Sequence, residues 1–321
     1  MSRQIIINAG IREKRAAIIE DNSLDDMLFE RDTYEQIARN IYRARVKDVL
    51  PGMQAAFVDI GIEKNAFLHI SDTFPLLSSS QFRKWKKNQL GIQHIVQPGQ
   101  EIMVQVIKEP IGSKGPKVTC KVTLPGRYFV YLPYEKKTGI SRRITDQKER
   151  NRLKQIAREF TNNNGVIVRT NAAGKNRKTL IHDYRYLNRV WGDVKNRYHN
   201  SRAPALVYRD VELMKLIVRD YLSPDIDKVV VDDKKAYNSL LHLADIIVPD
   251  LKNKINLYQK SIPIFDYYGI EKELSRVLQR KVWLKSGGYV IFDTTEALVS
   301  IDVNTGKYIG KKNLQETVYK T

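Results

Sequence analysis

NIYRARVKDVLPGMQAAFVDIGIEKNAFLHIS, residues 40–71, holds three short runs in which apolar and polar residues alternate, broken by Pro51–Gly52 and by the turn from Gly61 to Asn65. Two further runs, EIMVQVIKE (101–109) and KVTCKVT (117–123), have the same character. Period-two alternation between Gly, Pro, Ser and Asn signals predicts strands, and five short strands in succession predict a small barrel. The intervening 78–100, SSSQFRKWKKNQLGIQHIVQPGQ, is too polar and basic for a core and sets Trp85 among Arg83, Lys84, Lys86 and Lys87; it reads as an exposed loop.

Upstream, RQIIINAG, KRAAIIED and DDMLFERD (within 3–32) predict three strands of a meander that needs a partner layer. Downstream, 126–211 alternates strand and helix: GRYFVYLP, a helix over 146–160, GVIVRT, and a helix over 177–199. The segment 213–279 returns to helix–strand–helix, with DKVVVDD an apolar strand that could complete the sheet begun by the meander. The stretch 283–310 predicts two strands and a turn, with a basic tail to Thr321. The class is α+β and multidomain, as 321 residues permit.

Composition narrows the partners. With 55 Lys+Arg against 36 Asp+Glu the chain carries a formal +19, the electrostatic footprint of a protein that meets a polyanion. No apolar run nears the roughly 20 residues of a membrane span, and MSRQIIINAG lacks a signal peptide's apolar stretch, so the expected location is cytoplasmic. Cys120 is the single cysteine, which excludes an internal disulfide and any CxxC pair. The five histidines show no HxH, HxxxH or HExxH spacing, and GxSxG and P-loop motifs are absent.

Three places could carry function. Phe57 and Phe67 fall in the second and third runs, where an OB-type barrel stacks unpaired bases, with Lys114 nearby. Phenylalanine is more often inside than outside, so burial in the barrel core stays open as well. In VIVRTNAAGK, Arg169 and Thr170 end an apolar strand and enter a Gly-containing loop with Lys175, a set able to hold a phosphate or simply to face solvent. In LVSIDVNTG, alternation puts Asp302 on one face with Ser300 and Asn304, opposite Val299, Ile301 and Val303. Magnesium takes one or two carboxylates plus water and phosphate oxygens, so Asp302 asks for a second; Asp293 and Glu296 are the near candidates.

These features together resemble one family. Residues 40–72, TLPGRYFVYLP with GISRRI, VIVRTNAAGK, KINLYQKSIPIFDYYGIEKEL and SGGYVIFDTTEALVSIDVNTGK are similar, in order and nearly without gaps, to the ribonuclease E/G endoribonucleases. The resemblance implies a split RNase H-like subdomain (1–35 and 213–278) with an inserted OB-fold RNA-binding domain (36–123) and a 5′-sensor domain (124–212), then the start of a DNase I-like catalytic domain (279–321). It implies that Phe57, Phe67 and Lys114 contact RNA, and that Gly126, Val130, Arg169 and Thr170 form a 5′-monophosphate pocket. Asp302 would be the first magnesium-binding aspartate, assisted by Asn304. The family's second aspartate, a further pocket arginine, its zinc-linking CPxCxG segment and its small C-terminal pairing domain are not in this chain. The activity implied is magnesium-dependent hydrolysis of single-stranded RNA, leaving a 5′-phosphate and a 3′-hydroxyl, on precursor rRNA and mRNA. The alternative is a non-catalytic RNA-binding module; a basic scaffold that docks on ribosomes is the third reading.

Overall fold

The computed structural model describes residues 2–31, 36–87, 89–161, 164–210, 212–295 and 298–307, together with 315 and 319. Glu296, and the tail beyond 307 apart from those two positions, lie outside the described residues. The chain divides into two units: 1–28, 225–237 and 254–321 form the first, and 29–224 with 238–253 the second.

Strands β1 (Arg3–Ala9), β2 (Glu13–Glu20) and β3 (Ser23–Arg31) are neighbours in one sheet. The barrel of the second unit follows: β4 (Ile41–Leu50), β5 (Ala55–Asp59), β6 (Ala66–His69), helix α1 (Ser79–Lys86), β7 (Glu101–Lys108) and β8 (Lys117–Thr119). Their order is β4-β5-β6-β8-β7, and β7 pairs back to β4, which closes the sheet. Closure rests on β4, whose first half pairs with β7 and whose second half pairs with β5, across a register shift between Val46 and Asp48. Such a bulge bends a strand and lets it serve two neighbours. Strands β6 and β8 run parallel, the one parallel pair of an otherwise antiparallel barrel. Val46, Val58, Leu68, Val104, Val106 and Val118 fill the interior.

The segment 78–100 departs from the exposed loop expected from its polarity in two ways: Ser79–Lys86 is helical, and Ile92 and Val96 enter the barrel core. Ser78 caps α1, its Oγ accepting from Gln81 N while Gln81 Oε1 accepts from Ser78 N. This reciprocal capping box satisfies donors that a short basic helix would otherwise leave open. Phe82 stacks on Trp85 with centroids 5.9 Å apart, so the aromatics cluster with one another instead of entering a core.

Next come β9 (Leu124–Pro125), β10 (Phe129–Leu132), β11 (Thr138–Ile140), α2 (Gln147–Phe160), β12 (Gly165–Val168), α3 (Arg177–Asn200) and β13 (Ala205–Tyr208). The first four strands form a sheet in the order β11-β12-β10-β9, and β13 joins the barrel beside β4. Asp146 caps α2 and Asn176 caps α3, each side chain accepting from a backbone N–H of the first turn. Helix α3 buries Leu180, Asp183, Leu187, Trp191 and Val194, a stripe at helical spacing with one carboxylate in it.

The chain then runs through α4 (Leu213–Leu216), β14 (Lys228–Val231), α5 (Lys234–Ile247), β15 (Ile255–Leu257), α6 (Ile264–Tyr267) and α7 (Ile270–Val277). Strand β14 pairs in parallel with β1 and β15 with β14, giving the order β15-β14-β1-β2-β3. In β1, Ile5, Ile6 and Ile7 are all fully buried, because a central strand covered on both faces is apolar without alternation. The end of the chain forms three strands where two are expected: β16 (Lys281–Trp283), β17 (Tyr289–Thr294) and β18 (Val299–Asn304). The run VWLKSGG hides β16, whose three residues precede the turn that leads into β17.

Candidate functional site

Phe57 and Phe67 are direct cross-strand partners on β5 and β6, and their rings meet edge to face at 6.1 Å. Both are half-buried and neither belongs to the barrel's core cluster, whose β5 and β6 members are Ala56, Val58, Ala66 and Leu68. Alternation therefore sends the phenylalanines outward, so they are not residues of the barrel core. Lys117 continues the row as the β8 partner of Phe67, with its Nζ 3.3 Å from Asp72. Lys114 is exposed on the loop between β7 and β8. That loop lies flat on the barrel, since a Cβ at Gly115 would come within 2.0 Å of Asn65 O, and Lys64 Nζ donates to Gly112 O at 2.6 Å. The second and third strands and this loop are where an OB-type barrel binds oligonucleotides.

The four residues expected to hold a phosphate form a second group. Arg169 Nη1 donates to Gly126 O and to Asp220 Oδ1, each at 2.6 Å. Burial raises the pKa of the Asp220 carboxyl, and the charges and hydrogen bonds of Arg219 and Arg169 more than reverse this, holding it below the usual range. Gly126 has no room for a side chain: a Cβ would sit 2.7 Å from Leu187 Cδ1 and 3.0 Å from Asp183 Oδ2. Thr170 Oγ1 lies 3.0 Å from Ser141 Oγ and is exposed, while Val130 sits opposite Ile167 in the sheet.

Asp183 is the organiser that sequence reasoning missed. It accepts from three successive amides, Arg127 N to Oδ1 and Tyr128 N and Phe129 N to Oδ2, at 3.0–3.3 Å. Burial pushes its pKa up, against those three amides and Arg127, which favour the ionised form. An aspartate inside the apolar stripe of α3 was the available signal. Removing the acceptor in Asp183→Ala leaves three buried N–H groups unpaired, each worth about 1–3 kcal/mol. Stability of the full chain against urea is expected to fall by about 3 kcal/mol or more; an unchanged midpoint and slope would show that the segment 126–130 does not depend on it.

Asp302 is exposed on β18, opposite Ile291 of β17. Its Oδ2 accepts from Asn304 Nδ2 at 2.7 Å, and Oδ1 makes no hydrogen bond among the described residues. Asp293 is taken by Arg280, whose Nε and Nη2 reach its two oxygens at 2.6 and 3.0 Å; that hydrogen bonding holds the Asp293 carboxyl below its usual range. One free carboxylate oxygen with an orienting amide fits a magnesium ion that draws its other ligands from water and phosphate. No group of three or more His, Cys, Asp or Glu able to hold a metal exists among the described residues. Cys120 is buried and burial pushes its thiol well up, which suits core packing and not ligation. No helix among the described residues is long and apolar enough to cross a membrane.

The chain is thus a mixed α+β protein whose second unit holds a closed five-stranded barrel of OB type, with paired aromatics on its outer face. Residues 123–321 match the family model described as Ribonuclease E/G family. The chain belongs to the ribonuclease E/G family. It is 40% identical over 323 residues to ribonuclease G of Salmonella typhimurium (strain SL1344), covering 100% of this chain and 66% of that protein. Ribonuclease G of Escherichia coli (strain K12) is 39% identical with the same coverage. Ribonuclease E of Nostoc sp. is 36% identical over 327 residues, 100% of this chain and 46% of that one. The chain thus spans about 66% of the length of these ribonuclease G relatives.

Proposed function

We propose that this chain carries the RNA-binding and 5′-end-sensing parts, and the first metal-binding aspartate, of a single-strand-specific endoribonuclease. The reaction is hydrolysis of a phosphodiester in precursor rRNA or mRNA in the cytoplasm, leaving a 5′-phosphate and a 3′-hydroxyl. The outward pair of Phe57 and Phe67 beside Lys114 carries this reading, because half-buried aromatics that lie outside the barrel core and stand near cations suit unpaired bases and phosphates. The sheet order β15-β14-β1-β2-β3 supports the RNase H-like subdomain (1–35 and 213–278), the barrel supports the OB domain (36–123), and the sheet with α2 and α3 supports the sensor (124–212). Strands β16–β18 begin the DNase I-like part (279–321).

In this scheme Phe57 and Phe67 stack bases, and Lys114 neutralises phosphate charge. Arg169 and Thr170, with Gly126 and Val130 lining the pocket, receive the terminal 5′-monophosphate. Asp302 offers a carboxylate oxygen to magnesium, and Asn304 fixes the rotation of that carboxylate. Magnesium bound there would supply Lewis-acid polarisation of the scissile phosphodiester. One other reading, a binding module without catalysis of its own, is favoured by Asp293, the nearby carboxylate, whose two oxygens are both engaged by Arg280.

The sensor assignment is tested by comparing affinities for 5′-monophosphorylated and 5′-hydroxyl versions of one single-stranded RNA. Arg169→Ala is expected to cut the preference for the monophosphate about tenfold, the scale of one charge-assisted hydrogen bond. An unaltered preference would remove Arg169 from the pocket.

A further inference from the structure

A cleft of about 420 Å³ opens between the start of α3, the Arg127–Tyr128 segment and residues 246–251, all within the second unit. Its size is that of a small-molecule site. None of Gly126, Val130, Arg169 or Thr170 lines it.

One wall is cationic. Lys175 precedes α3, and Lys178 and His182 follow at helical spacing on a single face, together with Tyr186. Arg127 backs this wall at 3% exposure; its Nη1 donates to Val218 O and Arg219 O, its Nε has no partner, and it forms no ion pair among the described residues. This buried guanidinium is balanced by the two carbonyl dipoles, by the Tyr128 ring 5.6 Å away and by the charge of Asp183, while its Nε is left without an acceptor. The carboxylate of Asp183, on the same wall, is already spent on three backbone amides, and Asp250 is exposed. The remaining wall is apolar, formed by Ile246, Val248 and Leu251.

An inorganic anion would leave the apolar wall unused, and an apolar ligand would leave the cations unpaired. A phosphate joined to a flat base satisfies both. We infer that the cleft is a nucleotide subsite separate from the terminal-phosphate group, with the base against Ile246 and Val248 and the phosphate held by Lys178, His182 and Lys175. The inference rests on the RNA-binding reading only for the nucleotide's source, since a nucleotide within a bound strand and a free nucleotide share this chemistry.

The test is titration calorimetry of the full chain with adenosine 3′-monophosphate and, separately, a short 5′-hydroxyl oligoadenylate. Neither ligand carries a 5′-phosphate. Lys178→Ala and His182→Ala change exposed side chains and are expected to leave far-UV circular dichroism unaltered. Each should weaken binding about tenfold. Weakening with the mononucleotide identifies a site that takes free nucleotide; weakening with the oligomer alone identifies a subsite for a strand. Affinities for both ligands that are the same in wild type and both variants, or no binding of either ligand, would overturn the inference. Arg169→Ala separates the two sites: it should leave adenosine 3′-monophosphate binding unchanged, whereas the terminal-phosphate reading stands or falls on 5′-monophosphorylated RNA.

Discussion

Internal cuts in a 5′-monophosphorylated, AU-rich single-stranded RNA incubated with magnesium are expected to disappear when Asp302 becomes Asn. The substitution keeps the shape of an exposed side chain on β18 and removes only its charge, so fold and RNA affinity should persist. Loss of a group that merely orients a metal ligand costs about 10–100-fold, and loss of the ligand's charge should cost more than about 100-fold. Asn304→Ala tests the orienting role directly, because its amide reaches Asp302 Oδ2 at 2.7 Å, and a decrease of about 10–100-fold is expected. A sequencing gel reads both. Cuts that persist in Asp302→Asn would remove the carboxylate from the chemistry. Tight binding with no cuts by the parent chain would instead favour the binding-module reading.

Replacing Phe57 and Phe67 together by alanine should weaken single-stranded RNA binding by about 2–6 kcal/mol, from roughly 1–3 kcal/mol per stacked base. Because the rings touch each other at 6.1 Å, the two effects will not add independently, and the lower half of that range is the better expectation. The core of the barrel is untouched, so the urea midpoint should shift little, unlike the 3–5 kcal/mol lost when a buried phenylalanine is truncated. Filter binding and urea unfolding on the same preparations separate the outcomes. A large stability loss with unchanged RNA affinity would return the two rings to a structural role.

Much of the architecture is legible in the amino-acid sequence. The five runs between 40 and 123 became β4 to β8, and the helices over 146–160 and 177–199 became α2 and α3 within a residue or two. Periodicity worked there because each element has one dry face. It failed for 78–100, where capping by Ser78 and Gln81 and an aromatic cluster stabilise a helix whose composition is that of a loop. It failed again at β16, since three residues are too few to show a period.

The sites divide in the same way. Sequence by itself determined the strongly basic character of the chain, the strands of the barrel, the resemblance to an RNA-cleaving family, and the face of β18 that Asp302 shares with Asn304. The first follows from composition, the strands and the shared face from a period of two, and the resemblance from motif segments that stand in order along the chain; all are properties of the linear sequence. Only the tertiary structure decided that Phe57 and Phe67 point outward, since alternation fixes which residues share a face but not which face is covered. Only it joined Asp183 to the amides of 127–129, Arg169 to Asp220, and the lysines of α3 to the apolar segment 246–251, because hydrogen bonds and cleft walls between residues tens of positions apart leave no periodic trace in the chain.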